Sequence, residues 1–585
     1  GAIVLALAAC AGAWWSAGVP LAPALGAVLL ALALRRPVLL IVATALLASA
    51  LGTRAWAGLA PPVDTQVVAA EVVLLTDPVE VRGATKVDIG LGDRRVEAWA
   101  RGRAAAVLRP LLAGERVVVE GRLRPPPPEA RRWLARRHVS ARLNVDEAGA
   151  WRPGNLASRT ANGLRRTLVA GARPLATEPR ALLTGMVFGD DRDQSVAVAD
   201  DFRAAGLTHL LAVSGQNVAF VLVLAGPVLR RLGLRGRWAA SLGVIAFFGV
   251  MTRWEPSVLR ASAMAALAVT ATGLGRPASR RRLLALAVAG VVLIDPLLVH
   301  SVGFQLSVGA SAGILALAGP LTRRLPGPRW LAEALAVTLA AQIGVAPVLV
   351  PVFGGLPLAS VPANLLAVPA AGPLMVWGLT AGLAAGVLGP PADAVLHLPT
   401  SWLLGWVAGV ARWAAALPLG RIEAPHLVAL VVVAVVVVLA GRRCPRVVLP
   451  VGALAATLVV LAPAVTGSAG EVLGVVPARG AELWRSGGVV LILDDPDGGA
   501  LLEGLRDQGV ERLDLVVARR GSSPLASTVL LLRSRLPVGM VLAPEDHRIR
   551  GAVVPVDGSV VEVGDLEIDV LGTKGTLEAE VHIRR

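Results

Sequence analysis

Ser214, Gly215, Gln216 and Asn217 stand side by side between stretches of Ala, Val, Leu and Phe. His209, Gln305, Ser307, Gln342 and Asn364 interrupt other apolar runs in the same way. Uncharged polar groups at hydrocarbon depth need partners, so positions of this kind mark either helix packing or a polar passage. Any one alone reads as an interhelical hydrogen bond. As a set they fit a conduit better, with Ser214, Gly215, Asn217, Gln305 and Gln342 as its lining. Gly215 allows a helix to break there, and half-helix ends would present backbone groups to a passing substrate.

A second group of chemical residues lies near the C-terminus. The strand-like Leu513–Ala518 leads into Arg519-Arg520-Gly521-Ser522-Ser523-Pro524-Leu525. Arg519 and Arg520 have the charge to contact phosphate, although ordinary exposed charge is the preferred reading. Asp494, Asp495 and Asp497 share a Pro-Gly turn that suits a weak cation site or, preferably, a solvated loop. His547 and His582 are the histidines of this region. No GxxxxGK[ST] phosphate loop occurs, and no cofactor is expected.

The elements that must position these residues are mostly apolar. Of 585 residues, 55% are hydrophobic and 17% charged, against about 25% charged in an average soluble chain. Runs such as Leu427–Ala440 carry no polar stripe, which excludes an ordinary soluble helical bundle. The net charge of +16 is almost all arginine, with lysine only at Lys86 and Lys574. Codon bias of a GC-rich genome and topology signals account for most of that surplus, and nucleic acid is compatible with it. Cys10 and Cys444 form neither a disulfide framework nor a metal pattern. The apolar N-terminal region reads as a membrane anchor rather than a cleaved signal.

Composition divides the chain into zones. Residues 1–60 read as three spans, at 2–17, 20–34 and 37–54, with Arg35 and Arg36 inside. Residues 61–155 read as a small β-domain with strands at Val67–Leu75, Thr85–Gly90, Arg94–Arg101 and Arg116–Leu123, ended by the Pro125–Pro128 run. Five or so short strands suit an OB-like barrel, and an extracytoplasmic spacer equally. Trp99, Trp133 and Trp151 in it are possible stacking platforms, with a core role preferred. Residues 156–205 read as amphipathic interfacial helices, with Arg159, Arg165, Arg166 and Arg173 at the headgroups. Residues 206–466 read as about ten spans with arginine clusters after alternate ones, including Arg442, Arg443 and Arg446. The stretch 356–388 is one long span or two half-helices broken at Pro369 and Pro373. A single crossing gives 13 spans, with both polar domains outside. Residues 467–585 alternate strand and helix in an α/β pattern.

The motifs resemble the ComEC-type competence family over essentially the whole chain. Leu182-Leu183-Thr184-Gly185, Gly189-Asp190 and Phe202 through Gly215 carry the resemblance first. Arg260-Ala261-Ser262-Ala263-Met264, Asp295-Pro296, Gly303-Phe304-Gln305-Leu306-Ser307, Ala341-Gln342 and Ala363-Asn364-Leu365-Leu366 follow in family order. The resemblance implies an inner-membrane channel that passes single-stranded DNA inward during natural transformation. It implies an OB-like domain outside and a C-terminal metallo-β-lactamase-like domain. Implied partners are single-stranded DNA, membrane lipid, a separate DNA-receptor protein and a cytoplasmic helicase or motor. Asn217 stands where the family often has His. The family's Thr-His-x-His-x-Asp-His ligands fall on Arg520, Ser522, Pro524 and Leu525, which cannot replace imidazole or carboxylate at a divalent metal. The expectation is therefore a metal-free, catalytically silent domain. Rival readings are a transporter of another polymer or amphiphile, a membrane-bound metallo-hydrolase and a structural scaffold.

Overall fold

The computed structural model describes residues 1–81, 83–276, 278–441, 445–465 and 472–584. Arg442, Arg443 and Cys444 lie outside the described residues. Two compact units are present, one of Gly1–Asp193, His209–Leu356 and Asn364–Gly409, the other of Gln194–Thr208, Pro357–Ala363 and Val410–Arg585.

In the first unit, α1 (Ala2–Trp15), α2 (Leu21–Ala33) and α3 (Pro37–Ala57) match the expected N-terminal helices. The β-domain follows, with β1 (Gln66–Leu74), β2 (Val79–Val81), β3 (Ala84–Leu91), β4 (Arg94–Ala100), α4 (Gly102–Leu108), β5 (Arg116–Arg124), α5 (Pro128–Ala135) and β6 (Val139–Arg152). The strand order is β1-β5-β6-β4-β3-β2, and β1 also pairs with β3, so the order closes on itself. β6 lies parallel to β4 and antiparallel to β5. The proline run therefore does not end the sheet. It delivers the chain into α5, with Pro128 in the first turn, where a missing N–H costs nothing. Alternation buries Val117, Val119 and Leu123 of β5 with Val87, Ile89, Val96, Ala98 and Leu143.

The helical part of the chain runs through α6 (Leu156–Gly171), α7 (Thr177–Phe188), α8 (Val196–Ala204), α9 (Thr208–Leu211), α10 (Gly215–Leu229), α11 (Leu234–Met251), α12 (Pro256–Gly273), α13 (Arg280–Ile294), α14 (Val302–Thr322), α15 (Arg329–Phe353), β7 (Leu356–Pro357), α16 (Ser360–Leu388), α17 (Ala392–Leu396), α18 (Leu398–Ala415), β8 (Arg421–Ile422), α19 (Ala424–Gly441) and α20 (Pro445–Val465). α16 is one continuous helix through Pro369 and Pro373, so the half-helix reading of 356–388 is corrected. Hydrocarbon offers no other partner to the backbone, which favours keeping the remaining helical bonds. Among the described residues, α3, α14, α15 and α16 are long and apolar enough to cross a bilayer. Val38, Ile343, Val352 and Leu366 on these helices are exposed, a surface suited to lipid rather than water. The chain is a membrane protein.

α14 and α15 meet backbone to backbone. A Cβ on Gly344 would overlap the Gly309 carbonyl, and one on Gly313 would overlap that of Ala340. Small residues permit this approach where no hydrophobic effect drives helices together. Gly344→Val is expected to force the pair apart and cost about 1–3 kcal/mol. Loss of a disulfide engineered between α14 and α15 at equal membrane abundance would register it.

In the second unit, β9 (Val472–Val475), β10 (Ala481–Ser486), β11 (Gly488–Leu493), α21 (Gly498–Asp507), β12 (Leu513–Ala518), α22 (Ser523–Arg535) and β13 (Val538–Leu542) precede β14 (Val560–Val563), β15 (Leu566–Gly572) and β16 (Glu578–Ile583). The order β13-β12-β11-β10-β9 forms one sheet and β14-β15-β16 another. α21 and α22 cover one face of the larger sheet through Leu501, Leu505, Leu525 and Val529. Leu566, Ile568 and Val570 of the smaller sheet cover the other.

Candidate functional site

The break before α10 falls at Ala212–Ser214 rather than at Gly215. Ser214 is the N-cap residue, and its hydroxyl donates to Asn217 Oδ1 at 3.1 Å. Asn217 is buried and donates from Nδ2 to the Met186 carbonyl at 3.2 Å. The Val213 carbonyl accepts from Ser257 at 2.8 Å. The role of Gly215 is close approach: a Cβ there would lie 2.9 Å from Ala261 Cβ and 3.0 Å from the Arg260 guanidinium.

Arg260 is the residue that sequence reasoning missed as chemistry, although its motif had been noted. From the second turn of α12 its Nε donates to Ser307 Oγ of α14 at 2.7 Å. It thereby joins the start of α10 to the start of α14. Among the described residues no carboxylate lies within 4.0 Å of it. Gln305, two positions before Ser307, donates to the Val299 carbonyl at 2.7 Å and ties down the turn before α14. The structure thus gathers Ser214, Gly215, Asn217 and Ser307 along one chain of contacts with Arg260, with Gln305 beside it. Gln342 is half-buried on α15, two residues before Gly344, and so lies on a different face of that helix from the glycine contact.

The tryptophans of the β-domain are not core residues. Trp133 and Trp151 are 52% and 50% exposed, and Trp99 is half-buried. The core is filled by Val, Ile, Leu and Ala, and period-2 alternation turns the larger rings to the other face. There Trp99 donates to Glu97 at 2.8 Å, with the Arg142 guanidinium 5.7 Å from its ring. Trp133 has the Arg137 guanidinium at 4.7 Å and Lys86 at 6.0 Å. Beneath them, Asp88 and Glu97 are buried and paired with Arg95, Arg137 and Arg142, each at 2.9 Å to its nearest carboxylate. Four cations against two carboxylates leave this face net positive.

Of the four arginines expected at the headgroups, Arg159, Arg166 and Arg173 are exposed, but Arg165 of α6 is not. Arg165 is buried, donating to Asp77 at 2.7 Å, Asp190 at 3.3 Å and the Met251 carbonyl at 2.9 Å. Arg253 adds a bond to Asp77 at 2.9 Å and one to Asn162 at 2.9 Å. Burial alone would raise the Asp77 and Asp190 pKa values. The guanidiniums outweigh it and hold both below the ordinary carboxylate value, Arg165 and Arg253 at Asp77, chiefly Arg192 at Asp190. An amphipathic pattern reports a polar stripe but not whether water or protein faces it.

In the C-terminal region, Arg520 Nε lies 2.9 Å from Asp494 Oδ1. Both side chains remain exposed to solvent, at 56% and 39%. Arg519 is half-buried, its backbone held between Leu493 and Leu577 at 2.9 and 2.8 Å. Asp497 caps α21 by accepting from the Ala500 N–H at 2.9 Å, and Asp495 sits in the left-handed region at φ 57°. At the four expected ligand positions, Arg520 pairs with Asp494, Ser522 caps α22, Pro524 lies in its first turn and Leu525 enters the core. Among the described residues no group of three or more His, Cys, Asp or Glu is placed to hold a metal ion.

Residues 186–444 match the family described as Competence protein. ComE operon protein 3 of Bacillus subtilis (strain 168) is 24% identical over 450 residues, 68% of this chain and 57% of the relative. The protein named Uncharacterized protein YcaI of Escherichia coli (strain K12) is 28% identical over 206 residues, 32% of this chain and 27% of that protein. The match thus spans little more than half of the first relative and about a quarter of the second. No solved structure matches significantly. The matched region contains the Ser214–Arg260–Ser307 contacts, and over it the chain is similar to the competence proteins and to ComE operon protein 3.

Proposed function

We propose that this chain is a multi-pass inner-membrane conduit that carries single-stranded DNA into the cytoplasm during natural transformation, without nuclease activity of its own. The observation that carries the reading is Arg260. On the reading of α12 as a span, a guanidinium there costs up to roughly 2.5–3.5 kcal/mol, the insertion-scale value for a helix centre. Here it has a hydroxyl and a thioether as side-chain partners and no carboxylate among the described residues. A passing phosphodiester would supply the missing charge.

The remaining parts fit the same reading. The closed strand order, with β4 parallel to β6 and α4 between β4 and β5, supports an OB-like domain. Its tryptophans beside Arg137, Arg142 and Lys86 suit stacking with phosphate contact, and Trp99 belongs to that face. The unbroken α16 supports a single crossing there, hence 13 spans and both extramembrane domains outside. The paired sheets of the C-terminal region support a metallo-β-lactamase-like ancestry. The Asp494–Arg520 pair, which fills a carboxylate with a guanidinium instead of a metal, supports a silent one. Energy would come from a separate cytoplasmic helicase or motor, and DNA from a separate receptor protein.

The test is uptake of labelled duplex DNA into the cytoplasm of a competent host lacking its own family member. This chain is expected to restore uptake, and Arg260→Leu to lower it roughly tenfold or more, the value of one charged hydrogen bond. Gln305→Leu is expected to lower it less, since its amide ties down a turn. No restoration by the inserted wild-type chain, or full activity of Arg260→Leu at equal abundance, would reject the reading.

A further inference from the structure

A cavity of about 330 Å³ opens where α3 leaves the apolar region and meets the β-domain. Its walls include Trp56, Leu59, Pro61 and Pro126, and Arg131 and Arg132 of α5 line it as well. The volume lies at the lower end of the ~300–1,000 Å³ typical of small-molecule sites.

The depth of the cavity is fixed by aromatic rings. α1 and α3 run side by side in the same direction, with Gly12 against Ala45 and Gly52 against Ser16. Trp14 and Trp56 therefore lie at one end, and both pack on His300, at ring distances of 4.7 and 5.6 Å. Trp14 and Trp15 are exposed. Tryptophans gathered at one end of a spanning helix mark the membrane–water boundary.

The charge of the cavity is equally specific. Arg95, Arg137 and Arg142 of the same domain are committed to buried carboxylates. Arg131 and Arg132 are exposed and, among the described residues, have no carboxylate within 4.0 Å. Two adjacent uncommitted guanidiniums above an apolar wall, at headgroup depth, match a ligand with an anionic phosphate at one end and hydrocarbon at the other.

We propose that this cavity seats the phosphate of an anionic phospholipid from the surrounding bilayer, with Arg131 and Arg132 as its partners and Trp56, Leu59 and Pro61 against its glycerol and upper acyl atoms. A bound nucleic acid would place sugar and base against that apolar wall at the boundary depth, so lipid is the better fit. The occupant anchors the β-domain to the bilayer beside α3. The assignment is independent of DNA conduction, because it needs only a membrane.

The experiment uses the full chain in nanodiscs of phosphatidylcholine and phosphatidylglycerol in equal parts, washed with mild detergent. Retained lipid is counted per chain by mass spectrometry. The wild type is expected to retain phosphatidylglycerol in preference to phosphatidylcholine. Arg131→Ala with Arg132→Ala is expected to weaken that preference roughly thirtyfold. A control pair, Arg94→Ala with Arg101→Ala, removes the same charge from exposed positions outside the cavity and is expected to leave it intact. Matching melting midpoints would show that all three fold. Equal retention of the two lipids by the wild type, or equal loss in the control pair, would overturn the proposal. Displacement of the lipid by millimolar inorganic phosphate would assign the site to free phosphate. Displacement by a single-stranded oligonucleotide, dependent on Arg131 and Arg132, would assign it to nucleic acid. Either displacement rejects the lipid assignment.

Discussion

Asp77→Ala is expected to destabilise the chain by about 3–5 kcal/mol, the usual cost of removing one partner from a buried ion pair. Arg165 has its side chain 2% exposed and would lose its closest carboxylate, at 2.7 Å. Arg253 would lose the same group, at 2.9 Å. Asp190 would remain for Arg165 but is already shared with Arg192, at 2.6 Å. The Ala113 N–H, which donates to Asp77 at 2.8 Å, would be left without its acceptor. The expected result is a clear fall in melting midpoint, with new proteolytic cutting between β6 and α6. Asp77→Asn keeps the shape and removes the charge, so it should fall between wild type and alanine. A midpoint unchanged by Asp77→Ala would mean that the network contributes no net stability. The same pair sets a pH dependence. The Asp77 and Asp190 pKa values are depressed in the folded state. Their contribution is therefore complete above the unfolded value, near 3.9, and is lost as pH falls below it through the folded value. Asp77→Asn should flatten the acid limb of the stability curve.

The second large effect is expected at α8. Asp200 and Asp201 are buried, and both are held by arginines of the C-terminal region. Arg506 pairs with Asp200, and Arg535 binds Asp201 at 2.7 and 3.0 Å and also the Ala197 carbonyl. Arg421 joins Glu503 and Asp507 at 3.3 and 3.0 Å in the same unit. Arg535→Ala would strand the Asp201 carboxylate, whose side chain is 9% exposed, again at about 3–5 kcal/mol. Amide exchange across residues 196–204 should then rise at least tenfold at constant pH. The double variant Asp201→Ala, Arg535→Ala should recover part of the loss, because no charge is left unpaired. Additive single effects with no recovery would mean that the pair is not the coupling. On this account the C-terminal region braces α8.

Helix positions were legible because apolar runs leave few alternatives, and the polar interruptions pointed to the start of α10 and of α14. The partners were not legible. Arg253 and Asp77 are 176 residues apart, and Arg535 and Asp201 are 334 apart. Periodicity says that a stripe exists, not which distant chain covers it, so it cannot distinguish the buried Arg165 from an arginine at the headgroups. Large rings favour burial, which predicts Trp133 and Trp151 in the core, but Val, Ile, Leu and Ala already fill it. β6 was lost because four consecutive prolines read as a terminus. In the C-terminal loop, Asp494 as the partner of Arg520 is 26 positions away and needed coordinates in the same way.

The placement of β6 bears on how the chain is made. It is the last strand of its domain to leave the ribosome, yet it stands between β5 and β4 in the finished sheet. Without it, β5 lacks one neighbour and β4 lacks its parallel partner. With the β-domain outside, as proposed, residues 66–152 must be exported as an unfinished chain, for on the order of ten seconds at ordinary synthesis rates. On that topology the sheet would close only on the far side of the bilayer, once its last-made strand had crossed and entered between β5 and β4.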